Sequence, residues 1–320
     1  MYYVGIDLGG TNIAAGIVGD DLKIIAKGSV PTKRAGEYPE IIRDMAELTK
    51  KLIADAGLTT GDIGYIGIGS PGVCDREKGI LLYANNIKFN DVPMVEEMQK
   101  HISLPVFIDN DANCAALGES MAGAAKDVSD SVTITLGTGI GGGIVINKRI
   151  FAGFNGMAGE IGHMLLVFDG ELCTCGRKGC WEAYASATAL IRQTRIAAEE
   201  NPDSEINRLV NRNLDLINAE TAFDAMRLGD ETGIKVVDKY IRYLAEGIAN
   251  IMVFMQPEKI VIGGGISKEG ETLLKPLRKV VKENLYYKKD NVPQAQIVKA
   301  ELGNDAGIIG AAVLGLQGGI

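Results

Sequence analysis

The residues best suited to chemistry lie in one short stretch, residues 159–182, which contains His163, Cys173, Cys175 and Cys180. Three thiols and an imidazole at this density match the donor set of a tetrahedral zinc site, because zinc binds sulfur and nitrogen ligands. A group of buried free thiols is the simpler alternative, but the chain has only five cysteines and two histidines. The stretch therefore predicts a zinc site. Four protein ligands leave no position open for catalysis, so the predicted metal is structural.

Carboxylates supply the second group of candidates. Glu160 and Glu182 flank the metal ligands, where they would face a polar ligand. Asp111 ends the run Asp109-Asn110-Asp111, between an apolar segment and a stretch of small residues with helical character. Two roles fit Asp111 equally well. It is either the N-cap of that helix or the general base that accepts the proton of a substrate hydroxyl during phosphoryl transfer.

Three glycine-rich turns occur at residues 9–12, 137–143 and 263–265. The second satisfies G-x-G-x-x-G, but a strand rather than a helix is predicted after it, so it fails the test for a dinucleotide-binding fingerprint. The chain also lacks the P-loop pattern G-x-x-x-x-G-K-[ST]. Simple chain reversal explains any one turn. Three turns with the hydroxyls of Thr11 and Thr138 instead favour phosphate binding by backbone N–H groups.

Asp7 stands at the end of the first predicted strand, directly before the first glycine turn. A carboxylate at this place would hold Mg²⁺ through water close to the phosphates of a nucleotide. The alternative is an aspartate that only caps the turn, which is a common arrangement.

Strands that end in glycine turns, or that run into helices, must hold these residues in place. Residues Val4–Thr11 resemble Val132–Gly139, and an apolar strand follows each, which predicts two related domains. The predicted strands are residues 2–8, 13–18, 22–30, 63–69, 105–109, 131–136, 144–150, 259–262 and 296–300. The predicted helices are residues 37–56, a segment ending near 122, most of 184–254, 269–285 and 305–316.

Composition narrows the class of protein. A chain of 320 residues, 46% hydrophobic and with 41 glycines, is typical of a turn-rich α/β protein with two domains. The net charge of -8 argues against a nucleic-acid partner, which would need a basic surface. Neither a signal peptide nor an apolar stretch of membrane-spanning length is found, so we expect a cytoplasmic protein with no membrane partner and with reduced thiols.

Six motifs occur along the chain: DLGGTN at 7–12, SPG at 70–72, NDAN at 110–113, LGTGIGGG at 136–143, GEIGH at 159–163 and CTCGRKGCWE at 173–182. Together they resemble the ROK family of repressors, open reading frames and sugar kinases, and within it the bacterial glucokinases. The resemblance implies an actin-like ATPase fold of the sugar kinase type, with two α/β domains and a central cleft. We expect residues 1–118 plus 304–320 to form the small domain and residues 119–303 the larger domain with the zinc loop.

The resemblance also implies an ATP:hexose phosphotransferase that converts glucose to glucose 6-phosphate at the entry to glycolysis, with Asp111 as the catalytic base. The implied sugar contacts are Gly72, Asn86, Asn110, Asp111, Glu160, His163 and Glu182. The implied nucleotide and Mg²⁺ contacts are Asp7, Gly9, Gly10, Thr11, Asn12, Thr138, Gly139, Gly264 and Gly265. The zinc ligands are the four residues already given, and the second ring nitrogen of His163 would donate to a sugar hydroxyl.

Several alternatives stay open. The hexose is glucose or, with the same side chains, N-acetylmannosamine, fructose, mannose or allose. The phosphoryl donor is ATP or polyphosphate. A sugar-sensing repressor of the same family is disfavoured, because the first strand begins at Tyr2 and leaves no room before it for a helix-turn-helix domain. The resemblance further implies a homodimer or a dimer of dimers.

Overall fold

The computed structural model describes residues 1–33, 36–84, 87–289 and 291–317. Within these, the chain forms two compact units. Unit 1 comprises residues 1–133, 143–159 and those from 300 onward, and unit 2 comprises residues 134–142 and 160–299. The units differ from the expected domains because residues 119–133, 143–159 and 300–303 belong to unit 1. The expected domain boundaries stay a prediction.

The described residues contain the following strands: Tyr2–Leu8 (β1), Asn12–Gly19 (β2), Ile24–Pro31 (β3), Ile63–Ser70 (β4), Val73–Asp75 (β5), Ile80–Ala84 (β6), Phe89–Val92 (β7), Val106–Asn110 (β8), Ser131–Leu136 (β9), Ile140–Ile146 (β10), Arg149–Ile150 (β11), Lys259–Gly263 (β12) and Gln296–Lys299 (β13). They contain these α-helices: Tyr38–Asp55 (α1), Met94–Gln99 (α2), Asp111–Met121 (α3), Glu182–Ala185 (α4), Ala187–Glu200 (α5), Glu205–Leu209 (α6), Thr221–Arg227 (α7), Glu231–Met255 (α8), Glu271–Asn284 (α9) and Ala306–Ala312 (α10).

Two five-stranded sheets share one arrangement of strands. The first has the order β3-β2-β1-β4-β8 and the second has the order β11-β10-β9-β12-β13. The two similar sequence segments form β1 and β9, and each of these strands lies at the centre of its sheet. The next strand along the chain, β2 or β10, lies beside it. This common order supports the predicted repeat. A smaller sheet of β5, β6 and β7, which was not predicted, also occurs in unit 1.

The core of unit 1 explains why the first sheet forms. Val4, Ile6 and Leu8 of β1 have no exposed surface, and their alternate spacing places them on one face. Helix α1 covers that sheet with Ile41 and Met45, which are also fully buried and one turn apart. In this sheet β1 pairs parallel with β4, and β4 pairs parallel with β8, so their carboxyl ends share one edge.

Two predicted elements have boundaries that differ from the structure by more than two residues. The strand predicted at 144–150 begins at Ile140 and gives way after Ile146 to the short strand β11. The last helix, predicted at 305–316, is α-helical only over Ala306–Ala312, and a 3-10 turn follows at Leu314–Gln317. Among the described residues, no helix combines the length and the apolar character needed to cross a membrane.

Candidate active site

In unit 1, the candidate acids meet at one edge of the sheet. Asp7 of β1 pairs with Gly69 of β4, and Gly69 in turn pairs with Asp109 of β8. Because the strands are parallel, Asp7 and the turn that leads to Asp111 lie at the same carboxyl ends, where α/β proteins place ligands. The sequence predicted both acids separately, and the sheet brings them into one neighbourhood.

The structure distinguishes the two roles left open for Asp111. The side chain of Asn110 caps α3, since its Oδ1 accepts the N–H groups of Ala112 at 2.8 Å and Asn113 at 3.2 Å. Asp111 is therefore the first residue of the helix rather than its N-cap, and its Oδ1 accepts the N–H of Ala112 at 2.9 Å. Burial raises the pKa of Asp111, and hydrogen bonds from backbone N–H groups and from Asn110 oppose that rise.

The negative charge of Asp7 is unfavourable in the folded protein. Burial, together with repulsion from the charge of Asp111, raises the pKa of Asp7 to about 6. A cation near these two carboxylates would offset both effects, because its positive charge would stabilise the two ionised groups. The donor set thus fits a hard divalent cation such as Mg²⁺.

The first glycine turn is held by one hydrogen bond within the turn and by one from Thr32. The N–H of Gly9 donates to the carbonyl of Asn12 at 2.9 Å, and the hydroxyl of Thr32 donates to the carbonyl of Gly9 at 2.7 Å. The N–H of Gly9 is therefore engaged within the turn, whereas Thr11 and Asn12 are exposed. Thr11 and Asn12 are therefore more accessible to a phosphate than the N–H of Gly9 is.

Gly72 and Asn110, both predicted sugar contacts, are joined directly. The side-chain amide of Asn110 donates to the carbonyl of Gly72 at 3.0 Å. Gly72 has a φ of 97°, which favours glycine. Asn86, the remaining contact predicted in this region, lies outside the described residues.

In unit 2, the four predicted metal ligands converge. Nδ1 of His163 lies 3.6 Å from Sγ of Cys173, and Sγ of Cys175 lies 3.7 Å from Sγ of Cys180. All four donor atoms lie within 4.8 Å of one another. Zinc bonds of about 2.0–2.3 Å in a tetrahedron require donor separations of roughly 3.5–3.8 Å. The two short separations match that requirement, so the residues present fit a zinc ion.

The carboxylates beside this cluster have different surroundings. Oε2 of Glu160, which is exposed, lies 4.0 Å from Nε2 of His163. The ring of His163 therefore turns Nδ1 toward the thiols and Nε2 toward Glu160. Glu182 is engaged by the protein, because its Oε2 accepts the N–H of Ile140 at 2.9 Å and its Oε1 accepts the hydroxyl of Thr174 at 3.0 Å.

The second and third glycine turns lie next to each other. Gly264, with a φ of 79°, packs so closely on Leu136 that a Cβ there would come within 2.4 Å of the Leu136 carbonyl oxygen. Leu136 directly precedes the turn that carries Thr138 and Gly139. A Cβ at Gly139 would lie 2.2 Å from Oε2 of Glu182, so this turn also needs glycine in order to receive that carboxylate. Thr138, Gly264 and Gly265 are exposed.

One pair of charged residues at the site was not predicted. Nε of Arg76 lies 3.1 Å from Oδ2 of Asp109, which is buried beside the turn to α3. The position of Asp109 at the end of an apolar strand was a usable signal, because a buried carboxylate needs a partner. Nothing in the local sequence marks Arg76 as that partner.

Comparison with known proteins decides the family. The sequence profile described as the ROK family matches residues 3–317. The chain belongs to the ROK family. It is 38% identical to a glucokinase from Halalkalibacterium halodurans over 318 residues, which cover 98% of this chain and 94% of that one. It is 37% identical to a glucokinase from Thermotoga maritima, with 97% and 95% covered.

A solved structure extends the similarity to the fold. A ROK family glucokinase from Streptomyces griseus, determined in complex with glucose and AMPPNP, superposes with a TM-score of 0.84 at 35% identity. The match covers 99% of this chain and all of the other. The predicted fold class, the actin-like ATPase fold of the sugar kinases, is confirmed for this ROK family protein.

Proposed function

We propose that this ROK family protein transfers the γ-phosphoryl group of ATP to the 6-hydroxyl of a hexose, and that glucose is the hexose. The observation that carries the proposal is the position of Asp111. This acid is the first residue of α3 but does not cap the helix, and burial raises its pKa. The chain is also similar over its length to glucokinases.

The reaction needs one proton acceptor. When the sugar oxygen attacks the γ-phosphorus, its O–H bond breaks, the bond between phosphorus and the bridging oxygen breaks, and ADP leaves. The carboxylate of Asp111 accepts the hydroxyl proton, with an expected benefit of about 10²–10⁴ in rate. The pKa raised by burial makes Asp111 a stronger base than an exposed aspartate.

The other predicted residues divide between the two substrates. Asn110, Glu160 and the Nε2 of His163 offer the donors and acceptors that sugar hydroxyls require, and Gly72 stands beside Asn110. Each oxygen of Glu182 already accepts a hydrogen bond from the protein, and the remaining lone pairs of the carboxylate would accept a sugar hydroxyl. The glycine turns would receive the ATP phosphates. Mg²⁺, held with the help of Asp7, supplies charge neutralisation when bound.

The metal ligands have a supporting role in this proposal. Cys173, Cys175, Cys180 and the Nδ1 of His163 would hold zinc, which supplies a rigid cross-link for the loop when bound. If Nδ1 of His163 bound the metal, Nε2 would carry the proton and would serve as a donor beside Glu160.

A coupled assay that detects ADP tests the proposal with a panel of glucose, mannose, fructose, allose and N-acetylmannosamine. We expect the highest kcat/KM with glucose and with ATP rather than polyphosphate. Asp111→Asn should lower kcat by about 10²–10⁴, whereas Asp55→Asn, on the exposed end of α1, should not. Wild-type turnover by Asp111→Asn would refute the base assignment, and no turnover of any hexose would refute the function. The homodimer and the cytoplasmic location stay predictions.

A further inference from the structure

We propose that Arg76 and Asp109 are positioning residues, which hold the turn carrying the catalytic base against the segment that carries Gly72. This inference rests on the proposed function, because it takes Asp111 as the base. It concerns two residues to which neither the sequence motifs nor the proposed mechanism gives a role.

Asp109 is buried beneath the turn between β8 and α3 and accepts hydrogen bonds from it. Its side chain is only 2% exposed, and its Oδ1 accepts the N–H of Asn110 at 2.7 Å and the side-chain amide of Asn113 at 2.9 Å. These two bonds connect the end of β8 with the first turn of α3. The residue between them, Asp111, is thereby held in place from both sides.

Arg76 supplies the charge that allows Asp109 to be buried. Its Nε lies 3.1 Å from Oδ2 of Asp109, and its side chain is 21% exposed. Among the described residues, Oδ2 accepts no aligned hydrogen bond, so the contact is an ion pair held by charge. Burial raises the pKa of Asp109, and the charge of Arg76 is the strongest influence in the opposite direction. A buried carboxylate without this partner would be costly.

The segment before Arg76 is attached to the same turn at a second point. Asn110 donates to the carbonyl of Gly72 at 3.0 Å, four residues before Arg76. Residues 72–76 thus meet the turn through one neutral hydrogen bond and one ion pair. Burial raises the pKa of Cys74, which lies between these two points, and the charges of Asp109 and Asp111 add to that rise. The segment with the proposed sugar contact Gly72 and the turn with the proposed base Asp111 are therefore held in a fixed arrangement.

The test compares Arg76→Met with Arg76→Lys, and uses Lys78→Met as the matched control. Lys78 lies on the same β5–β6 turn, is 73% exposed and pairs only with Asp75 at 3.0 Å among the described acids. We expect Arg76→Met to lower kcat/KM for glucose by about 10- to 100-fold, since small displacements of a reacting group have effects of this size. The KM of Arg76→Met for ATP should stay at the wild-type value. The control Lys78→Met should keep the wild-type kcat/KM and the wild-type Tm.

Rescue separates positioning from a purely structural role. Because the contact depends on charge, Arg76→Lys should recover much of the lost kcat. In the double variant with Arg76→Met and Asp109→Asn, the loss in kcat/KM, expressed as a free energy, should be smaller than the sum of the losses in the two single variants. Unchanged kcat and KM in Arg76→Met would overturn the inference, as would a loss that vanishes once rates are referred to folded protein. Both outcomes differ from failure of the proposed function, in which the wild-type protein itself phosphorylates no hexose.

Discussion

Replacement of Asp7 by Asn should stabilise the protein while it abolishes the proposed chemistry. Burial and the nearby charge of Asp111 raise the pKa of Asp7 from an ordinary 3.8 to about 6. The folded protein therefore binds this proton more tightly than the unfolded chain does between about pH 4 and pH 6. Within that window the free energy of unfolding falls as the pH rises. Above it the full cost of the buried charge, about 3 kcal/mol, is present.

Urea denaturation of both proteins from pH 4 to pH 8, without nucleotide or divalent cation, measures this cost. Titrating groups that do not interact with Asp7 cancel in the difference, whereas the repulsion between Asp7 and Asp111 is part of the cost that is measured. We expect Asp7→Asn to exceed the wild type by about 3 kcal/mol at pH 7, with the difference shrinking toward zero near pH 4. Asp55→Asn, at an exposed position, should show no such trend. A difference independent of pH, or a wild type that is more stable throughout, would refute the reasoning.

Three further changes test other parts of the structure. Cys175→Ser removes one of the four candidate metal donors, so elemental analysis should find less than one zinc per chain and glucose should bind more weakly; full zinc content with unchanged affinity would contradict the structural role. Trp181→Phe leaves a void in the core and removes the indole N–H that donates to the Tyr243 carbonyl at 2.8 Å. Its free energy of unfolding should fall by about 2–3 kcal/mol in urea titrations, and no change would argue against that bond. Lys148→Met removes an ammonium group that donates to three backbone carbonyls near the end of α3, so we expect a loss of about 2 kcal/mol by the same measurement, and an equal Tm would count against it.

Local sequence was sufficient for some parts of the site. The four candidate metal ligands lie close together along the chain, so a tight loop with glycines at its turns is enough to bring them together. Strand β1 was predicted with the boundaries that the structure has, because its apolar residues alternate and a glycine turn ends it. Features that depend on a few neighbouring residues were therefore accessible to prediction.

Other features depended on packing between distant segments. Strand β10 begins earlier than predicted, and one of its glycines packs closely on α3, where a Cβ on Gly143 would lie 2.4 Å from Cβ of Ala116. A run of glycines alone suggests a turn. The choice of Asn110 rather than Asp111 as the cap depends on a shift of one residue at the start of α3, which propensities do not resolve. The partnership of Arg76 with Asp109 is a tertiary contact without a sequence motif.

The shared strand order of the two sheets allows their central strands to be compared position by position. Aligning Val4–Thr11 with Val132–Gly139 sets Asp7 opposite Thr135 in the second copy. Both strands run into a glycine turn, but only the first carries an acid at this position. The free-energy cost of an ionised group at a poorly hydrated strand end therefore falls on one sheet, although the two sheets share one strand order. Of the two similar turns, only the first has beside it the carboxylate that a divalent cation would need.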